Sequence, residues 1–137
     1  MKAKYILLVV LALMVCCPVV TAQKITDSSY KSVAYIYKDG TVKDRNYSTI
    51  GHIKKDGTVQ DVNYSTVGHL KDNGAVQNAS YSTVGYIKSD GTVQNSNYST
   101  IGHVKKDGTV QDASYHTIGY AKDVPMEWAA LFFFFKL

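Results

Sequence analysis

Cysteine is nearly absent: the 137-residue chain has two, Cys16 and Cys17, both within its first 22 residues. The body beyond them has no disulfide and no thiolate, so its fold must hold by packing and hydrogen bonds. A strong excess of one charge is also missing. There are 15 Lys+Arg against 11 Asp+Glu, and without Lys2 and Lys4 the count is 13 against 11, or +2, which removes the main support for a nucleic-acid partner. The one long apolar run, Tyr5 to Val20, is shorter than the ~20 residues of a membrane-spanning helix and is broken by Pro18. No 3.6-residue periodicity runs through residues 30 to 122, so long amphipathic helices are excluded there.

The N-terminal segment reads as a secretory signal. Lys2 and Lys4 form a charged start, Ile6 to Val15 an apolar middle, and Val20-Thr21-Ala22 a small-residue cleavage site. Residues 1–22 are thus expected to be removed, leaving Gln23 as the mature terminus and no transmembrane span. Lipidation at Cys16 or Cys17 is the alternative. It is disfavoured because Val15 is not the small residue such sites require, and Pro18 follows Cys17.

What is present is a repeat. Tyr30, Tyr47, Tyr64, Tyr81, Tyr98 and Tyr115 recur every 17 residues without insertion or deletion. Five whole units run from Tyr30 to Ser114, and a sixth breaks off near Asp123. The first is atypical, as end units of stacked repeats tend to be: it has Ala34 where later units have Gly51, Gly68, Gly85, Gly102 and Gly119, and Tyr37 where the second has Lys54. The spacing divides the chain into a leader at 1–22, a repeat domain at 23–122 and a hydrophobic cap at 123–137.

Each unit carries two strands and two turns. In the second, Thr49 to Lys54 is rich in β-branched residues, and Lys54-Lys55-Asp56-Gly57 fits a type I turn closed by a left-handed glycine. A three-residue loop sets Lys54 opposite Thr58 and Ile53 opposite Val59, which puts the apolar pair on one side. Asp61-Val62-Asn63-Tyr64-Ser65 is the second turn, since Asp, Asn and Ser side chains bond local backbone. About twelve short strands follow.

Such units form either an antiparallel meander of β-hairpins or a β-solenoid with one coil per unit. The column of Lys54, Lys71, Lys88, Lys105 and Lys122 would stack like charges in a solenoid, and with the Asp-Gly turn this favours the meander. Ile50 and His52 lie opposite Gly51 and Ile53, so a flat sheet would leave an apolar face wet and the sheet is expected to curl. After Lys122 the repeat stops. Asp123 or a neighbour is expected to cap a short helix with Pro125 in its first turn, setting Trp128, Leu131, Phe132 and Phe135 on one face as a cover for the open end of the repeats. A docking segment for a partner or membrane is the alternative for this tail.

Chemistry is sparse. Ser, His and Asp sit in repeated columns, whereas catalysis needs one asymmetric constellation, so no catalytic residue, cofactor or metal is assigned and an enzyme is not expected. His52, His69 and His103 share a column with Tyr35, Tyr86 and Tyr120, a pattern that asks for a semi-polar ring rather than a zinc ligand. The Asp-Gly turns lack the clustered carboxylates of a calcium loop. The matches to the glycosylation acceptor pattern, such as Asn46-Tyr47-Ser48, arise together from repetition of one turn.

The remaining candidate surface is the column of Tyr30, Tyr47, Tyr64, Tyr81, Tyr98 and Tyr115. It either packs over the second turns to hold the units together or forms a row of platforms for an extended glycan. In type, the aromatic-plus-Asp-Gly hairpin resembles the choline- and glucan-binding repeats of bacterial surface proteins, whose units are Trp-rich and of another length. The run Gly51-His52-Ile53-Lys54-Lys55-Asp56-Gly57-Thr58-Val59-Gln60-Asp61 and its copies more closely resemble uncharacterised secreted bacterial tandem-repeat proteins built on Gly-x-Ile/Val-x-x-Asp-Gly-x-Val-x-Asp/Asn. That resemblance implies architecture and export, with no activity. The chain is therefore expected to be a secreted, periplasmic or cell-surface protein, a structural or interaction module of the bacterial envelope, with a glycan-binding module as the alternative. Its expected partners are an envelope glycan or protein.

Overall fold

The computed structural model describes residues 21–136; the expected leader, with Cys16 and Cys17, lies outside them except for Thr21 and Ala22. Twelve strands follow one another: β1 (Gln23–Asp27), β2 (Ser32–Ile36), β3 (Thr41–Asp44), β4 (Thr49–Ile53), β5 (Thr58–Asp61) and β6 (Thr66–Leu70). The second half repeats the first, with β7 (Ala75–Asn78), β8 (Thr83–Ile87), β9 (Thr92–Asn95), β10 (Thr100–Val104), β11 (Thr109–Asp112) and β12 (Thr117–Tyr120). Each pairs antiparallel with its chain neighbours, and β1 also pairs with β12, so the meander closes into a barrel. The solenoid alternative is set aside, because the repeat is a hairpin and not a coil.

Closure corrects one expectation. No sheet edge is left for the tail to cover, because the broken sixth unit is completed from the other end of the chain. Ile25-Thr26-Asp27 of β1 supplies the second strand that β12 lacks, in the same relation to Tyr30 that Val59-Gln60-Asp61 bears to Tyr64.

The hairpin register is as the three-residue loop requires, with Ile53 opposite Val59 and His52 opposite Gln60. Between hairpins the register slips. Val42 faces Gly51 but Lys43 faces Thr49, leaving Ile50 as the extra residue of a β-bulge, and the same slip recurs at every such junction. A bulge bends its strand and raises its twist, which lets short strands close a tight barrel. It also brings most of the second apolar set inward: Val33, Val67, Val84, Ile101 and Ile118 at the bulged position pack against the core, while Ile50 stays exposed.

The core is built in rings. Ile25, Val42, Val59, Val76, Val93 and Val110, one from each unit, are all buried, and Ile36, Ile53, Ile87, Val104 and Ala121 form the next ring. The tail fills the lumen inside them. It leaves β12 through Asp123 at φ 62°, forms the short helix α1 (Met126–Ala130), and continues as a π-helical turn over Leu131–Phe135. Asp123 is not the cap, because Pro125 holds that position and no side chain bonds the helix start. The shared face of Trp128, Leu131, Phe132 and Phe135 is not formed either, for the wide turn spreads successive rings around the axis. Ideal Cβ atoms placed on Gly119, Gly102 and Gly85 would lie within 2.7 Å of Phe133, Phe134 and Phe135 ring carbons respectively. Each phenylalanine therefore seats on the glycine of a different unit. The tail is an internal plug: Leu131 is fully buried, worth about 1.5–3 kcal/mol, and the four phenylalanines are half-buried.

Candidate functional site

Alternating strand direction places every Asp-Gly turn at one rim of the barrel and every Tyr turn at the other. The Tyr turns hold a conformation that their sequence disfavours. Tyr64 N–H donates to the Asp61 carbonyl at 3.1 Å, as Gly57 N–H donates to the Lys54 carbonyl at 3.0 Å, so tyrosine stands where the other rim uses glycine. All six column tyrosines have φ of 63–67°. Tyrosine in this left-handed region costs about 1 kcal/mol or more. The strain is held in place from both sides. Asp61 Oδ1 accepts from Asn63 N–H at 2.9 Å and Ser65 N–H at 3.0 Å, and its counterparts in the other units do the same. The tyrosine ring, in turn, stacks on the semi-polar ring of the preceding unit.

That stacking explains the mixed His/Tyr column. Tyr47 lies on Tyr35, Tyr64 on His52, Tyr81 on His69, Tyr98 on Tyr86 and Tyr115 on His103, with centroids 4.5–4.7 Å apart and planes within 14°. Tyr30 closes the ring on Tyr120, at 4.5 Å and 7°. Imidazole and phenol both offer a flat face at that place, and among the described residues no three His, Cys, Asp or Glu side chains come together. The Tyr86 hydroxyl donates to that of Tyr98 at 3.0 Å. Donation to Tyr98 raises the pKa of Tyr86, and donation to Tyr30 raises that of Tyr120. Tyr35, as acceptor from Tyr47, titrates lower.

The six platforms are open. The column tyrosines keep 59–70% of their surface, so they neither bury themselves over the second turns nor belong to the core. The closed barrel also bends the expected row into a ring. Grooves run beside the platforms, and three of them show a common plan. One of about 430 Å³ joins His52 and Tyr64 to Asp39, Lys43 and Thr41. A second, about 300 Å³, joins His69 and Tyr81 to Asp56 and Gln77. The largest, about 740 Å³, joins Tyr86 and Tyr98 to Asn73 and Gln94 and reaches Trp128, Glu127, Lys71 and Lys88. Each sets an aromatic stack beside the Asp or Asn of the preceding Gly-turn.

Those turn carboxylates are ionised and fixed. Thr41 N–H, first, and the Thr41 hydroxyl hold the Asp39 pKa below the ordinary carboxylate value, burial opposes them, and His52 adds a smaller lowering. Asp56, Asp90 and Asp107 are lowered in the same way by Thr58, Thr92 and Thr109. Of these acids, Asp39 and Asp56 line the grooves beside the His52–Tyr64 and His69–Tyr81 stacks. Sequence reasoning found the tyrosines but missed their stacking partners and the neighbouring acids. The signal was there in the constant 12-residue offset between His52 and Tyr64, and between each later pair.

The model of the 5-fold beta-flower protein family matches residues 20–136 of this chain. The chain belongs to that family of repeat proteins, which is not a known enzyme family. Its five continuous units and the sixth shared between the two chain ends are the petals of the closed ring. No curated protein and no solved structure matches it.

Proposed function

We propose that this β-flower protein is a secreted, non-enzymatic interaction module of the bacterial cell envelope, and that its ring of stacked aromatic pairs binds envelope glycan. The exposure of the six column tyrosines carries the reading. Glycine or asparagine would satisfy a left-handed turn residue with less strain, so stability alone does not call for a solvent-facing tyrosine in every unit. A flat ring open on its outer face suits the apolar face of a sugar, and the Asp, Asn, Gln and Lys groups beside it suit hydroxyls and amides. Six equivalent platforms of modest individual affinity gain strength against a ligand that presents the same unit many times. Their circular arrangement fits a mesh or a cluster of chains better than one straight polymer. No helix among the described residues is long and apolar enough to cross a membrane, and the tail is engaged inside the barrel rather than offered for docking.

Retention of the protein on isolated peptidoglycan and cell-surface polysaccharide tests the reading. Retention that soluble fragments of the same glycan compete away, and that falls about tenfold or more in Tyr64→Ala/Tyr81→Ala, is the expected result. Equal retention of the folded double variant would count against the aromatic ring as the binding surface.

A further inference from the structure

The barrel has one seam, where the two ends of the chain meet, and it is thinly joined. Only two residue pairs, Thr26 with Tyr120 and Asp27 with Gly119, register β1 against β12, whereas four register β1 against β2. The Thr26 hydroxyl at this junction is buried without a hydrogen-bond partner. Across the same seam lies the flattest of the six stacks, Tyr30 on Tyr120, with planes 7° apart. Three of the six stacks are phenol on phenol: Tyr30–Tyr120, Tyr35–Tyr47 and Tyr86–Tyr98. In the last, the hydroxyls meet at 3.0 Å over centroids 4.7 Å apart, so the two phenols overlie head to head. Tyr30 keeps 70% of its surface, open to an oxidant from solution.

We propose that Tyr30 and Tyr120 form an oxidative cross-linking site, at which peroxide acting through a peroxidase-type one-electron oxidant joins the two rings and seals the barrel covalently. Each phenol gives up one electron and its hydroxyl proton to become a phenoxyl radical. The radicals combine in a carbon–carbon bond between one ortho carbon of each ring. Each ortho hydrogen then leaves as a proton while a proton returns to each oxygen, restoring two phenols. Two electrons and two protons are lost in all, and one hydrogen peroxide takes them up to give two waters. Such a bond would tie the unfolded chain end to end, which is how a cross-link stabilises a fold that has no disulfide. The pairing of a phenol with His52, His69 or His103 at the other three stations cannot give this product.

The test treats the dilute purified protein with peroxidase and limiting hydrogen peroxide, then maps joined peptides by mass spectrometry after denaturation and digestion. The expected result is a Tyr30–Tyr120 peptide pair lighter by two hydrogens, formed within single molecules, together with a higher melting temperature. Tyr120→Phe keeps the stack and should abolish that joined pair and reduce the gain in melting temperature, while the Tyr86–Tyr98 link still forms; Tyr30→Phe should behave alike. A Tyr30–Tyr120 pair that does not form where Tyr86–Tyr98 does, that forms only between molecules, or that leaves the melting temperature unchanged would overturn the proposal.

Discussion

The two rims of the barrel solve one backbone problem with opposite residues. Both close a hairpin with a residue in the left-handed region, at φ of 88–91° in the glycines and 63–67° in the tyrosines. At the glycine rim the turn leans on the next unit. Leu70 N–H donates to the Gly57 carbonyl at 2.7 Å, and a Cβ on Gly57 would lie 1.9 Å from the Leu70 carbonyl oxygen. At the tyrosine rim the side chain points to solvent and finds a ring to lie on. Space rather than φ therefore decides which residue a left-handed turn position accepts. Where a neighbouring backbone stands in the way, glycine is the one choice; where it does not, strain of about 1 kcal/mol is a cost that a useful side chain can carry.

The largest effect is expected from putting a side chain into the crowded rim. In Gly91→Val the new Cβ would meet the Val104 carbonyl oxygen at 2.0 Å and break the bond that Val104 N–H donates to the Gly91 carbonyl at 2.8 Å. Turn strain and the lost contact together should cost about 3 kcal/mol or more, read by chemical denaturation. A loss under about 1 kcal/mol would mean that the units can part without penalty.

A smaller effect should distinguish the acids of the two rims. Asp61 accepts two backbone N–H groups and Asp56 accepts one, from Thr58 at 2.9 Å. Asp61→Ala frees two backbone N–H groups of its turn and Asp56→Ala one, so Asp61→Ala should be the more destabilising of the two. Equal costs would show that the tyrosine turn is not held open by its Asx bonds.

The smallest effect is on acid stability. Asp39, Asp56, Asp90, Asp107 and Asp112 all titrate below the ordinary carboxylate value, chiefly because backbone N–H groups favour the ionised form. Groups with depressed folded pKa values stabilise the fold above the unfolded value, near 3.9, and lose that contribution as pH falls through the lower folded values. Melting temperature should thus be flat through neutrality and fall only on acidification below about pH 4. Asp56→Asn should soften that fall. A decline centred near pH 6.5, the ordinary histidine range, would contradict it.

Much of the wall was legible in the sequence. An invariant 17-residue spacing fixed the units, and Ile53 facing Val59 followed from one turn chemistry and one apolar match. The closing strand was harder to see, because Gln23-Lys24-Ile25-Thr26-Asp27 carries neither the tyrosine nor the glycine that marks a unit, only an apolar-x-Asp ending. The plug was legible as hydrophobic but not as a radial one, since four successive phenylalanines have no helical periodicity, and three of them acquire meaning only from the glycines they meet. At the candidate site the tyrosine column was plain. Its left-handed backbone was not, because tyrosine itself does not favour φ above zero; the turn is held by the Asp61 bonds, and the ring is placed by a stack on a residue of the preceding unit.

The comparison of the two rims is tested most directly by exchanging their residues one at a time and melting Tyr64→Gly beside Gly57→Tyr. Tyr64→Gly relieves left-handed strain and gives up a solvent-exposed stack of about 0.5–1.5 kcal/mol, so its stability should stay within about 1 kcal/mol of the parent. Gly57→Tyr drives a Cβ into the Leu70 carbonyl and should lose cooperative folding. If Tyr64→Gly collapsed as Gly57→Tyr does, the tyrosines would be part of what holds the barrel together, and the claim that they are free for binding would fall.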